Sequence, residues 1–175
     1  MQHVFLATLY DETMTDTKIK TTKIGNRTYT DSLAYEVKLT EKYSKMLCLQ
    51  LFSRLNASVS PEEFLVLDVT YHNPDICQRD LAKLLIKDRA NTGRLLESLE
   101  KKSLIKRVVD VKNNRLVKKI ILTNEGEGIL FSLWEKINPV FTKTFESFTD
   151  EEVEFTKKIL KKMRDTLKET VEVQI

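Results

Sequence analysis

Apolar residues fall into step after Asp31-Ser32, where Leu33, Val37, Tyr43, Met46, Leu47, Leu51 and Leu55 recur at intervals near three and four. That is the period of one helix face. Tyr35, Leu39, Leu49 and Phe52 widen the stripe, and a helix apolar on more than one side is expected to be covered by a second partner. Ser60-Pro61-Glu62-Glu63 reads as a helix start, with Ser60 as N-cap, Pro61 at the first position and Glu63 closing a capping box. The helix carries Phe64, Leu65, Leu67 and Val69 to the Asn73-Pro74-Asp75 turn. A short helix is expected from Cys77 to Leu85, with Leu81, Ala82, Leu84 and Leu85 inward. Asp88 can cap another, over 88–102, with Thr92, Leu95 or Leu96, and Leu99 at core positions. Leu104 to Asp110 and Leu116 to Leu122 are β-rich runs flanking a turn-prone tip, Val111-Lys112-Asn113-Asn114-Arg115. After Thr123 the pattern is helical again, with a kink expected at Asn138-Pro139. Thr149 with Glu152 opens a last helix along Val153, Ile159, Leu160, Met163 and Leu167.

These elements make a mainly α chain with one small β-hairpin, an α+β arrangement. Residues 1–30 are Thr-rich and weakly periodic, with a Gly25-Asn26 turn signal, and are expected to form a partly flexible extension. Met14 would serve equally well as a start, so residues 1–13 need not belong to the native chain.

Charge sharpens the picture. Between Cys77 and Leu122 stand thirteen Lys/Arg and five Asp/Glu, a surplus of +8 in a chain whose net charge is +3. The surplus coincides with the helix-turn-helix and hairpin, and the remainder of the chain is acidic. A face that neutralises several phosphates gains affinity from the counterions it releases, which points to double-stranded DNA. The 175 residues, 41% apolar and 31% charged with four Gly and three Pro, suit one helix-rich globular domain. Two distant cysteines make neither a disulfide framework nor a metal set, and His3 and His72 stand singly, so no metal is expected. No apolar run is long enough for a membrane span, and Val4 to Tyr10 is too short for a secretory segment. The expected location is the cytoplasm. A Gly-rich phosphate loop, a Ser/His/Asp elbow and a His-x-x-x-His pair are all absent from the sequence, and helix N-termini account for Glu62-Glu63 and Glu151-Glu152. Neither catalysis nor a cofactor is expected.

A helix that enters the major groove must bury its apolar stripe and present the other side. With Thr92, Leu95 and Leu99 inside, the outward set is Arg89, Ala90, Asn91, Gly93, Arg94 and Glu97. Asn91 has the groups to read adenine, and Arg94 to read guanine or clamp a phosphate. Gly93 either lets the backbone approach the groove or is simply tolerated on an exposed turn. Arg115 at the hairpin tip suits a narrow minor groove, with Lys112, Lys118 and Lys119 flanking phosphates. Gln78 and Arg79, at the start of the short helix, are placed to touch the DNA backbone. Each lysine taken alone is equally a solvated surface charge.

The order of elements, together with Gln78-x-Asp80-Leu81-Ala82, Asp88-Arg89-Ala90-Asn91-Thr92-Gly93-Arg94-Leu95-Leu96-Glu97-x-Leu99-Glu100, Leu104-Ile105-Lys106-Arg107 and Asp110…Asn113-x-Arg115…Leu122-Thr123-x-Glu125-Gly126, resembles the multiple-antibiotic-resistance regulator (MarR) family. The resemblance runs from Ser32 to the C-terminus. It implies a winged helix-turn-helix over about 60–123 within a domain of 31–175, and dimerisation helices over about 32–56 and 124–173. It also implies a homodimeric transcriptional regulator, a repressor released from a palindromic operator by a small-molecule effector. Three departures stand out: Ser103 where Gly is usual after the recognition helix, Gly93 in mid-helix, and Asn113-x-Arg115 in place of Asp-x-Arg. A left-handed residue at 103 would strain Ser more than Gly.

Tyr71, His72 and Trp134 are candidates for an effector pocket, although aromatics at helical spacing more often fill a core. Cys77, at a helix N-terminus, is the candidate for a thiol switch. Cys48 is expected to be buried, and neither thiol stands where the family's peroxide sensors carry theirs. Two alternatives accompany the main reading: a winged-helix protein-interaction module, and a redox-sensing regulator of the same fold.

Overall fold

The computed structural model describes residues 28–112 and 115–171, with the backbone alone at Lys112 and Arg115. The expectations for residues 1–27, including His3, Met14 and the Gly25-Asn26 turn, and for Asn113-Asn114 lie outside the described residues. The chain divides into two units, residues 1–44 and 45–175. In the first, Thr28 and Asp31 form a reciprocal cap on a 3-10 turn, Tyr29–Asp31. The Tyr29 ring meets Tyr35 edge-on, 5.7 Å between centroids. Helix α1, Leu33–Arg54, starts here and continues into the second unit.

The second unit continues with α2 (Pro61–His72), α3 (Gln78–Leu85), α4 (Arg89–Lys101), β1 (Ile105–Lys112), β2 (Arg115–Leu122), α5 (Asn124–Thr144) and α6 (Asp150–Thr170). Four helix starts rest on side-chain caps. Ser60 Oγ accepts from Glu63 N while Glu63 Oε2 accepts from Ser60 N at 2.7 Å. Asp88 Oδ1 accepts from Asn91 N at 2.7 Å, Thr123 Oγ1 from Gly126 N at 3.0 Å, and Thr149 and Glu152 reciprocate. Each cap is worth about 1 kcal/mol, which fixes where these helices begin.

The core gathers Phe52, Val66, Leu67, Leu81, Leu96, Leu99, Ile105, Ile120, Leu130 and Ile137, with α2 packed against α3, α4, α5 and β2. The strands pair antiparallel from Ile105↔Leu122 to Lys112↔Arg115. Ile120 N donates to Ile76 O at 2.9 Å and Cys77 bridges to Lys119, so the hairpin base is stitched to the segment that leads into α3.

Several expectations are corrected. Leu84 is 57% exposed, because Leu81 and Ala82 already fill the inward side of the short α3. Leu96, not Leu95, takes the buried position of α4 between Thr92 and Leu99, and Leu95 is half-buried. The strands extend through Val111, Lys112 and Arg115, so the five-residue tip shrinks to 113–114. Leu65 is exposed. Cys48 is half-buried. Pro139, where a kink is expected, lies inside α5, which runs on to Thr144. Phe52 alone is buried on α1, and no residue is buried on α6.

Candidate nucleic-acid interface

Helix α4 turns Thr92, Leu96 and Leu99 into the core and leaves Arg89, Ala90, Asn91 and Arg94 exposed. One line of hydrogen bonds runs along the exposed side. Asn91 Nδ2 donates to Asp88 Oδ2 at 2.5 Å, and Arg94 Nη1 donates to Asn91 Oδ1 at 3.2 Å. Residues 88, 91 and 94 stand one turn apart, and residues at that spacing on a helix are surface neighbours. The Asn91 N–H holds the Asp88 carboxyl below its usual range, so it stays charged.

The local surplus of positive charge divides into two groups. Lys87 pairs with Glu62, Lys101 with Glu97, Lys102 with Glu63, Arg107 with Glu100 and Lys119 with Asp110, while Arg79 lies 3.8 Å from Asp80. Of these, Lys87, Lys102, Arg107 and Lys119 link different elements of the lobe, while Arg79 and Lys101 pair locally. Lys83, Arg89, Arg94, Lys106 and Lys118 have no ion pair among the described residues. Two of those five are on the outward side of α4 and one, Lys118, is exposed on β2.

On the hairpin, Lys118 shares a strand face with Val109, Leu116 and the buried Ile120. Arg107 does most to hold the Glu100 carboxyl low, and the charge of Lys118 adds to it. Lys119 lies between Asp110 at 2.6 Å and Asp75 at 3.4 Å, and so ties both strands to the loop before α3. The expected phosphate role of Lys119 therefore competes with two carboxylates. The ends of the strands hold Lys112 and Arg115 opposite one another across the tip.

Gln78, the first residue of α3, reaches over α4: a Cβ built on Gly93 would lie 3.5 Å from Gln78 Nε2. That is ordinary van der Waals contact, so Gly93→Ala is expected to raise stability by up to about 1 kcal/mol, read from the melting temperature. If DNA affinity falls in the same variant, the bare backbone serves groove approach; if affinity holds, Gly93 is merely tolerated.

Tyr71 and His72 end α2 and are exposed; the Tyr71 ring meets Phe131 of α5 edge-on at 5.1 Å. Trp134 lies one turn beyond Phe131 and is half exposed. Next to Tyr71, the buried Thr70 hydroxyl lacks a hydrogen-bond partner among the described residues. Cys77 is the N-cap residue of α3, and its thiol donates to Asp80 Oδ2 at 3.1 Å. Burial pushes the Cys48 thiol up.

Two structural devices escaped the sequence reading. Glu63 closes its capping box and also accepts from Ser98 Oγ at 2.6 Å and Lys102 Nζ at 2.8 Å, which anchors the end of α4 to the start of α2. Asp88 caps α4 and also holds the Asn91 side chain. The capping motifs were visible in sequence; partners 35 and 39 residues away were not.

A model of the MarR family matches residues 59–117. The uncharacterized HTH-type transcriptional regulator YsmB of Bacillus subtilis is 31% identical over 111 residues, 63% of this chain and 75% of that protein. The S. aureus MepR–DNA complex matches with a TM-score of 0.68 at 25% identity, covering 80% of this chain and 99% of that one. A MarR protein from Peptoclostridium difficile shares the fold, with a TM-score of 0.69 at 22% identity over 83% of this chain and 96% of its own. No helix among the described residues is long and apolar enough to cross a membrane. The relatives are regulators, not enzymes, and share the helix-turn-helix and hairpin with this chain: it belongs to the MarR family of DNA-binding HTH-type transcriptional regulators.

Proposed function

We propose that two copies of this chain bind a palindromic operator in the cytoplasm as a sequence-specific repressor, released when a small molecule occupies the face between α2 and α5. The observation that carries the DNA part is the exposed side of α4, where Arg89 and Arg94 have no ion pair among the described residues while Lys87, Lys101, Lys102, Arg107 and Lys119 are held by carboxylates. In this reading α4 enters the major groove, Arg89, Asn91, Gly93 and Arg94 face it, and Ala90 offers an apolar contact. Gln78 and Arg79 meet the phosphate backbone, while Lys112, Arg115 and Lys118 of the hairpin reach the adjoining minor groove and its phosphates. MepR of S. aureus is described in complex with DNA, which supports the same partner here. Tyr71, His72 and Trp134, all exposed, favour an aromatic effector.

The two-copy reading rests on apolar surface. Helix α6 has no fully buried residue within one chain yet carries the exposed Phe155, Ile159 and Leu167, and Phe145 and Phe148 before it are half exposed. Met46 and Leu49 of α1 are likewise half exposed. A monomer seldom leaves so much apolar side chain in water, and a two-fold axis matches a two-fold operator. Removing residues 150–175 is expected to give aggregated or monomeric protein without specific binding, read by sedimentation and gel shift. A well-folded monomer that binds its operator normally would overturn the dimer.

A further inference from the structure

We propose that Arg94 reads a guanine and that Asp88 and Asn91 are positioning residues which hold its guanidinium for that base, so that Asn91 does not itself read adenine. The inference rests on the DNA-binding reading above and names which base the exposed face of α4 selects.

Hydrogen-bond capacity is the deciding point. An asparagine reads adenine with both ends of its amide, the oxygen accepting from N6 and the nitrogen donating to N7. Here both ends are engaged: Nδ2 donates to the Asp88 carboxylate at 2.5 Å and Oδ1 accepts from Arg94 at 3.2 Å. Reading adenine would break a bond to an ionised acceptor, the stronger kind. Arg94 differs, because its guanidinium carries five N–H donors and spends one on Asn91, leaving a pair free for O6 and N7 of guanine. No carboxylate among the described residues pairs with it directly, so the relay orients the charge without neutralising it.

Polarity runs one way along the relay. Asp88 can only accept, which forces Asn91 to present nitrogen toward it and oxygen toward Arg94. Backbone N–H of Asn91 holds the other Asp88 oxygen at 2.7 Å and fixes the carboxylate as the helix cap. Docking in the groove excludes water from these exposed bonds and strengthens them.

The test uses the full chain and duplexes selected by it from a random library. Each guanine of a half-site is replaced in turn by 7-deazaguanine, which lacks the N7 acceptor, and each adenine by 7-deazaadenine. The parent is expected to lose about tenfold in affinity at one guanine per half-site, the scale of a good bidentate contact. Arg94→Ala should bind that duplex and its deaza form equally. Asp88→Asn keeps a good N-cap but places a donor against Asn91 Nδ2, turning the amide so that it faces Arg94 with nitrogen. Sensitivity at that guanine should then fall to about twofold or less, as with Asn91→Ala, at unchanged melting temperature. Affinity of Asp88→Asn for random duplex should hold or rise, since an acid leaves the DNA face; a merely structural role would not combine those results. Full guanine sensitivity in Asp88→Asn, or loss of an adenine signal in Asn91→Ala, would overturn the proposal. If no duplex is enriched at all, the DNA-binding reading itself fails and takes this inference with it.

Discussion

Gly126→Ala is expected to destabilise the protein by about 3 kcal/mol or more, the upper range for forcing atoms into a packed site. A Cβ at 126 would fall 2.1 Å from Leu104 O and 2.9 Å from Leu122 Cδ1. The first obstacle is backbone, and that backbone is itself pinned: Leu104 O accepts from Thr123 N at 3.1 Å, and Ser103 O from Thr123 Oγ1 at 2.8 Å. The first turn of α5 is therefore laid against the start of β1, and only glycine permits it. Gly128, two residues on in the same helix, meets nothing within 4 Å. Gly128→Ala should accordingly stabilise by about 0.5–1 kcal/mol. Denaturant midpoints at one fixed protomer concentration would show the opposite signs; equal effects at both positions would discount the close approach.

Lys102→Met is expected to cost about 2–3 kcal/mol at neutral pH. Glu63 is 5% exposed, and the change leaves its carboxylate with Ser98 Oγ and Ser60 N alone. Breaking a fully buried pair costs about 3–5 kcal/mol; Lys102 is 37% exposed, so part of its charge is already solvated and the figure is reduced. The acid dependence gives a second readout. Burial pushes the Glu63 carboxyl up, yet the hydrogen bonds from Lys102, Ser98 and Ser60 outweigh it, and the group lies below its ordinary value. A depressed carboxyl stabilises the fold above its unfolded value of about 4.3 and loses that contribution as pH falls through the folded value. Without Lys102 the strongest of the lowering interactions is gone and the carboxyl rises, so stability that it contributes above about pH 4.3 is lost, with little change below. The gap between parent and variant should thus be widest at neutral pH and close in acid. A gap constant from pH 7 to pH 3 would contradict the assignment.

These two expectations mark what the sequence disclosed and what it withheld. Helix starts were legible because a cap spans three residues: Ser60 with Glu63, Asp88 with Asn91, Thr149 with Glu152. Ser103 does take the left-handed backbone that costs Ser more than Gly, with φ at 61°. Ile86 gave no warning: it takes φ 51° and ψ 47° to close the turn after α3, a conformation a β-branched residue avoids. Leu84 and Leu95 were misplaced because α3 and α4 each offer more leucines than one inward stripe can hold, and packing chooses among them. The charge run was legible as a whole but not in detail. Arg107 finds Glu100 seven residues away, while Lys102 finds Glu63 thirty-nine away, and no local rule anticipates the second pair. On the candidate interface, the outward set of α4 followed from its period, whereas the relay from Asp88 through Asn91 to Arg94 needed side-chain geometry.

The central claim is that the exposed side of α4 reads a specific duplex, and one titration addresses it most directly. Fluorescence anisotropy would follow the full chain and Arg94→Ala against the duplex upstream of the protein's own coding sequence and a scrambled duplex, at two salt concentrations. The parent should prefer the upstream duplex and weaken steeply as salt rises, as several phosphate contacts require. Arg94→Ala should lose about 1–3 kcal/mol on the upstream duplex and much less on the scrambled one. Equal affinity of parent and variant for both duplexes, with no dependence on salt, would contradict the account.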